Sequence, residues 1–252
     1  MLLLIDIGNT HTHLGLSRGK RIIQQDDVPT SGWPGGTAQA RLRRLVGTYR
    51  LDGAALCSVV PPRTPDLRRF VLRQWKVQCL ELTPATLAGV GIEYPRPNTI
   101  GPDRLANAVA ARHRFGAPVV VVDFGTAVTF DVVNAAGNYV GGIIAPGLAA
   151  MTDYLHEKTA LLPRITIREP ESVIGKSTEQ AMLVGAVHGY RGLVRELIKQ
   201  LKRELGVRRL PVLATGGYGK LIAATLPEIT AVDPLLTLHG LRLVWERAHT
   251  KV

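Results

Sequence analysis

One local pattern occurs twice in this chain and limits what it can fold into. From Val119 to Val133, VVVVDFGTAVTFDVV, four β-branched residues run into Asp123, then Gly125, Thr126 and Thr129, then a second apolar run. This reads as a buried strand, a tight turn and a return strand. Gly125 lets the backbone approach a ligand closely, and Thr126 adds a hydroxyl and an N–H to the turn. A carboxylate beside such a turn suits a metal-bound phosphate: carboxylate oxygens hold cations, and N–H and hydroxyl groups cradle phosphate oxygens. Leu2 to Leu16, LLLIDIGNTHTHLGL, repeats the arrangement with Asp6, Gly8, Asn9 and Thr10. One such turn also fits a plain hairpin. Two, about half a chain apart, point to a duplicated α/β domain with a nucleotide held between the halves.

Composition narrows the classes. The chain has 252 residues, 46% of them hydrophobic, enough for two small cores. No apolar run approaches the ~20 residues of a membrane helix, and the first apolar segment carries Asp6 and no basic flank, unlike a signal peptide. Cys57 and Cys79 give no disulfide framework, and no Cys/His cluster has zinc spacing. These features imply a soluble cytoplasmic protein. The net charge of +11 raises nucleic-acid binding. Its basic residues lie without aromatic interleaving on helical stretches, which reads as solvated faces that also draw in an anionic substrate.

In order, Arg21 to Val28 reads as a third strand and Thr30 to Thr37 as a loop. Ala38 to Leu51 reads as a helix with Ala38, Leu42, Leu45, Val46 and Tyr49 inward. A strand over Ala54 to Val60, a basic helix over Pro65 to Trp75 and a strand over Val77 to Leu82 follow. The Pro-rich connection Thr83 to Ile100 is long enough to be functional. It delivers Gly101-Pro102-Asp103-Arg104 at a helix start, with Pro102 at the first helical position. The helix dipole accounts for Asp103 but disfavours Arg104, so the pair reads equally as a helix start or a substrate site. Beyond the second hairpin come a strand over Tyr139 to Ala145 with Gly141 and Gly142, a helix from Pro146 to about Glu157, and an edge-like segment over Ile165 to Arg168. A long helix over Ser177 to Leu205 aligns Met182, Gly185, Ala186, Gly189 and Leu193, a face suited to close packing, including against another subunit. Gly175-Lys176-Ser177-Thr178 lacks the first glycine of a P-loop, Pro170 standing there. A strand over Leu210 to Ala214, the Thr215-Gly216-Gly217 turn and a helix over Leu238 to Ala248 complete the chain.

Asp6-Ile7-Gly8-Asn9-Thr10, Gly101-Pro102-Asp103-Arg104, Asp123-Phe124-Gly125-Thr126-Ala127, Gly141-Gly142 with Ala145-Pro146-Gly147, and Ala214-Thr215-Gly216-Gly217 resemble, in order and spacing, the type III pantothenate kinases. Ser58-Val59-Val60-Pro61-Pro62 and Gly240-Leu241-Arg242-Leu243 add to the likeness. The resemblance implies two ribonuclease-H-like domains, residues 1–116 and 117–252, with ATP in the cleft, as in the acetate and sugar kinase, Hsp70 and actin superfamily. It implies ATP-dependent phosphorylation of pantothenate, the first step of coenzyme A synthesis. On that basis Asp6, Ile7, Gly8, Asn9, Thr10, His11, Thr12 and His13 form a phosphate loop with Asp6 near Mg²⁺, and Thr126 contacts ATP. Asp123 ligates a monovalent cation, K⁺ or NH₄⁺. Tyr94, Gly101, Pro102, Asp103 and Arg104 hold pantothenate, with Asp103 as general base kept ionised by the helix start and Arg104. Thr178 reaches the substrate of the neighbouring subunit of a homodimer, and Gly216-Gly217 lines the adenine side.

Two positions depart from the family pattern. His11 and His13 flank Thr12 where small or polar residues are commoner, and Val128 stands where Thr is frequent. A His-x-His pair puts both rings on one strand face, which suits a metal or, as we read it, an exposed or cleft-facing polar side. Two rival readings are a non-catalytic ATP-binding regulator of the same fold, which has no need of Asp103-Arg104, and a phosphate-polymer hydrolase, which has no need of the Pro-rich substrate loop.

Overall fold

The computed structural model describes residues 1–33 and 35–250. The chain runs β1 (Leu2–Ile7), β2 (His11–Arg18), β3 (Arg21–Pro29), α1 (Gly36–Val46), β4 (Gly53–Ser58), α2 (Thr64–Trp75), β5 (Cys79–Glu81), β6 (Gly91–Ile92) and α3 (Pro102–Phe115). It continues with β7 (Val119–Phe124), β8 (Ala127–Val133), β9 (Asn138–Pro146), α4 (Leu148–Lys158), α5 (Thr178–Glu204), β10 (Val212–Thr215), α6 (Gly219–Ala223), β11 (Ala231–Val232) and α7 (Leu236–His249). Two compact units result. Unit 1 comprises residues 1–116, 137–140 and 235–250; unit 2 comprises residues 117–136 and 141–234.

In unit 1 the sheet order is β3-β2-β1-β4-β5. β1 pairs antiparallel with β2 and parallel with β4, placing Asp6 opposite His13 on one side and Cys57 on the other. A strand between two neighbours, covered on both faces, needs a continuous apolar run. β1 supplies it, and every residue from Leu2 to Ile7 is buried except Asp6. One core holds Leu3, Ile5, Leu14, Leu16, Trp33, Leu42 and Val71. Opposite it, α7 packs on α3, β1 and β4, and Gly240 lies so close to the Ala106 backbone that no side chain fits between the helices.

Unit 2 repeats the plan. β9, β8, β7, β10 and β11 are neighbours in that order, with β7 antiparallel to β8 and parallel to β10. The burial of β7 matches that of β1 residue for residue, Asp123 again being the one position not fully covered. The duplication read from two D-x-G turns is thus present as two sheets of the same strand order.

Several expected features fall elsewhere. α1 stops at Val46 because Gly47, at φ +56, donates its N–H back to Arg43 O and ends the helix; Tyr49 lies beyond it, 38% exposed. No strand forms over Ile165–Arg168. The Pro-rich connection contains β6, which pairs with Asn138 and Tyr139 of β9. On α5, Ala186 turns into the core with Leu183, Val187, Tyr190, Val194 and Ile198, whereas Gly185 and Gly189 face open space. The aligned small residues therefore occupy two sides of the helix. The contact units also differ from a division into residues 1–116 and 117–252, since α7 is grouped with unit 1.

Candidate active site

In unit 1, Asp6 is the penultimate residue of β1, and the turn to β2 is tight: the Gly8 N–H donates to His11 O at 3.0 Å. A Cβ on Gly8 would lie 2.8 Å from that same oxygen, so only glycine lets the loop close. Asn9, Thr10, His11 and His13 are exposed, while Ile7 and Thr12 are buried. The Thr12 hydroxyl shares a hydrogen bond with Thr30 Oγ1 (3.0 Å), and Thr30 donates to Gly8 O (2.7 Å). The Thr30 N–H also reaches Thr10 O at 3.0 Å. Thr30 thus anchors the loop from a segment that the sequence presents as an ordinary turn. His11 and His13 do share a face, with ring centroids 6.5 Å apart. His13 Nδ1 lies 2.5 Å from Asp27 Oδ1, and this hydrogen bond chiefly holds the Asp27 carboxyl below its ordinary value.

Cys57, on β4, is tied to the end of β1. Its buried thiol donates to Asp6 Oδ1 at 3.2 Å. The thiol is pushed well above its ordinary pKa, first by burial and then by the charges of Asp6 and Asp103. The parallel pairing of β1 with β4 sets Asp6 and Cys57 side by side.

Gly101 precedes α3, and a Cβ there would come within 2.5 Å of Asp103 Oδ1. That oxygen accepts the Arg104 N–H at 2.8 Å. The Arg104 N–H and the Arg104 charge act on the Asp103 carboxyl in one direction and burial in the other. The first two lower its pKa, but burial outweighs them and the carboxyl sits above its ordinary value. Tyr94, 38% exposed, belongs to the same unit and meets Tyr139 edge-on at 6.3 Å.

In unit 2, Asp123 lies one residue before the end of β7, and Gly125 and Thr126 form the exposed turn. Gly147, at the start of α4, fits directly against the Gly125 and Thr126 carbonyls, where a Cβ has no room. Gly216, at φ +82, approaches from the β10 side, and a Cβ there would lie 2.5 Å from Asp123 Oδ1. Gly217 faces open space. Gly216 thus packs closely on Asp123, and Gly147 on the turn that follows it. Thr178 is the first residue of α5. Its neighbour Ser177 caps that helix by accepting the Gln180 N–H at 3.2 Å, which gives the Gly-Lys-Ser-Thr run a structural purpose.

Among the described residues no three His, Cys, Asp or Glu side chains gather into a metal-binding group, and no helix is long and apolar enough to cross a membrane.

Comparison with known proteins follows from this geometry. The family described as type III pantothenate kinase matches residues 2–200. A type III pantothenate kinase of Akkermansia muciniphila is 49% identical over 242 residues, covering 96% of each chain. That of Methylacidiphilum infernorum is 44% identical over 246 residues, covering 97% of this chain and 88% of the relative. Among solved structures, a candidate 2-dehydro-3-deoxygalactonokinase from Sinorhizobium meliloti superposes with a TM-score of 0.62 at 14% identity, covering 100% of this chain and 98% of that one. An inorganic polyphosphate/ATP-glucomannokinase from an Arthrobacter strain gives 0.51 at 13% identity, covering 98% and 99%. These distant structures share the fold of two ribonuclease-H-like domains found in sugar kinases. With the Asp6 and Asp123 turns, the Gly101–Arg104 helix start and near full-length identity to relatives of one description, the chain belongs to the type III pantothenate kinase family.

Proposed function

We propose that this protein transfers the γ-phosphoryl group of ATP to the primary hydroxyl of pantothenate, giving 4'-phosphopantothenate and ADP, the first step of coenzyme A synthesis in the cytoplasm. Asp103 is the general base. The hydroxyl oxygen bonds to phosphorus as the bond to the ADP oxygen breaks, and the hydroxyl proton passes to Asp103. A primary alcohol needs such an acceptor near neutral pH, and a carboxyl with raised proton affinity is better matched to that task. The observation that carries this reading is the placement of Asp103 in the first turn of α3, where its Oδ1 accepts the Arg104 N–H at 2.8 Å and burial raises its proton affinity. Tyr94, Gly101, Pro102 and Arg104 hold the substrate, with Arg104 facing its carboxylate.

The turn from Asp6 to His13 receives ATP phosphates, and Thr126 is a further ATP contact. The residues fit the expected ions. Magnesium binds through one or two carboxylates plus substrate phosphates, not an all-protein cage, and Asp6 would supply such a carboxylate. Asp123 would supply the hard carboxylate oxygen that K⁺ or NH₄⁺ prefers, and Gly147 packs closely on the turn that follows it. When bound, these cations neutralise charge that develops during phosphoryl transfer. The protein acts as a homodimer to which each chain contributes Thr178 across the interface. Exposed Met151, Tyr154, Leu155 and Leu161, and the open glycine side of α5, support this.

The test is ADP release from ATP by purified protein, with and without pantothenate, in potassium and in sodium. Release should require both pantothenate and potassium, and Asp103→Asn should fold, bind ATP and lose about 10²- to 10⁴-fold in kcat. ATP binding without pantothenate-dependent release would refute the kinase reading. A near-normal Asp103→Asn would refute the base. Light scattering that shows a monomer would refute the shared site.

A further inference from the structure

Tyr139 is among the largest fully buried side chains, 1% exposed, and it belongs to the short segment of β9 grouped with unit 1. It touches the substrate segment in three ways. Its backbone pairs with Ile92 in register and accepts the Glu93 N–H at 2.9 Å, fixing the residues just before Tyr94. Its ring meets the Tyr94 ring edge-on, with centroids 6.3 Å apart. The same ring carries the Arg104 guanidinium over its face, with Cζ 5.8 Å from the centroid.

The last contact bears on a difficulty in the sequence. Arg104 lies in the first turn of α3, where the helix dipole repels a cation. An aromatic face attracts a guanidinium through its quadrupole, more strongly away from water. Tyr139 supplies that face on a rigid strand. Tyr94 hangs on a loop and Arg104 has a long side chain, so a shared buried ring fixes the distance between them. Substrate anchors held in place before binding spare the ordering cost that would otherwise weaken affinity.

We propose that Tyr139 is a positioning residue of the pantothenate site. It presets Arg104 and Tyr94 through one ring and so determines affinity for the substrate rather than the rate of transfer. The inference rests on the assignment of Tyr94 and Arg104 to pantothenate.

The experiment is steady-state kinetics of Tyr139→Leu, Tyr139→Phe, Arg104→Ala, Tyr94→Ala and the double variant Tyr139→Leu/Arg104→Ala. Tyr139→Leu should raise KM for pantothenate about tenfold, with kcat and the ATP KM within about twofold. Tyr139→Phe, which keeps the ring, should restore the pantothenate KM. The double variant should be less than additive, since Tyr139 acts through Arg104. If Tyr139→Leu does not fold, a series of increasingly fluorinated phenylalanines at position 139 weakens the cation attraction at nearly constant shape, and KM should climb along it. Additive effects, a kcat loss without a KM change, or a flat fluorine series would overturn the proposal. Arg104→Ala and Tyr94→Ala with unchanged pantothenate KM would instead overturn the site assignment beneath it.

Discussion

Gly216→Ala perturbs the surroundings of Asp123 by a single added methyl group. Gly216 has φ +82, a left-handed conformation that costs an L-residue about 1–2 kcal/mol. The added methyl would lie 2.5 Å from Asp123 Oδ1 and 2.7 Å from the Phe124 N and C atoms, where carbon contacts settle near 3.5–4.0 Å. The Phe124 backbone cannot give way, because β7 is paired on both sides and the Phe124 side chain is buried. The turn after β10 or the Asp123 carboxylate must therefore move. Forced overpacking adds about 1–3 kcal/mol, for a total of roughly 2–5 kcal/mol. At about 2–4 °C per kcal/mol for a chain of this size, Tm should fall by roughly 4–20 °C. In the ADP-release assay the potassium needed for half-maximal activity should rise. Gly217→Ala is the control: Gly217 faces open space, so its Tm should hold while KM for ATP rises. A Gly216→Ala protein with unchanged Tm and an unchanged potassium curve would refute both the strain argument and the placement of the cation beside Asp123.

Further outcomes are expected from the same contacts. Asp103→Asn should stabilise the protein at pH 7: burial raises the native pKa above 3.8, so the folded state favours the protonated form and loses stability as pH rises through that native value. Urea midpoints of the two proteins should converge near pH 3.8 and separate above it. Arg191→Met should cost about 2–4 kcal/mol by chemical denaturation, because the buried guanidinium binds Glu169 twice (2.8 and 2.7 Å) and Leu221 O (2.7 Å). The Glu169 carboxyl is held below 4.5, chiefly by its hydrogen bond to Arg191, so this tie contributes above pH 4.5 and is lost as pH falls through the native value. Segment 159–177, which has no helix or strand, should then become sensitive to protease. Gly240→Ala should lower Tm by several degrees, since the methyl would meet the Ala106 backbone between α3 and α7.

What was legible in the sequence was whatever short-range chemistry determines. The two β1- and β7-type strands announce themselves by an apolar run closed by Asp and Gly, and α3 by Pro102 after a glycine. The end of α1 was missed because the apolar spacing continues past Gly47, and the turn at that glycine overrides it. Ile165–Arg168 has strand-like residues but gains no partner strand. Thr30, Cys57 and Tyr139 were not marked as site residues because each acts through a partner distant in sequence: Gly8, Asp6, and Tyr94 with Arg104. Parallel pairing of β1 with β4 puts Cys57 directly beside Asp6, a register that no local pattern in β4 displays. The rise in the Asp103 pKa was invisible for a related reason. Local residues favour the ionised form, and burial, which depends on the whole unit, reverses the balance.

The grouping of α7 with unit 1 has a consequence for how the chain is made. Unit 1 holds β1 to β6 and α1 to α3, made before unit 2, yet Leu241 and Val244 are buried in the helix that packs on α3, β1 and β4. Its apolar face must wait while residues 117–235 are synthesised. The segment between has its own sheet and can form during that interval. Nonsense or frameshift lesions after position 235 would therefore leave β1, β4 and α3, all made long before, without the helix that packs on them. The same connectivity means that a cut at residue 116 does not yield a self-sufficient N-terminal fragment, whereas adding a separate peptide spanning 235–250 should rescue a truncated chain in trans.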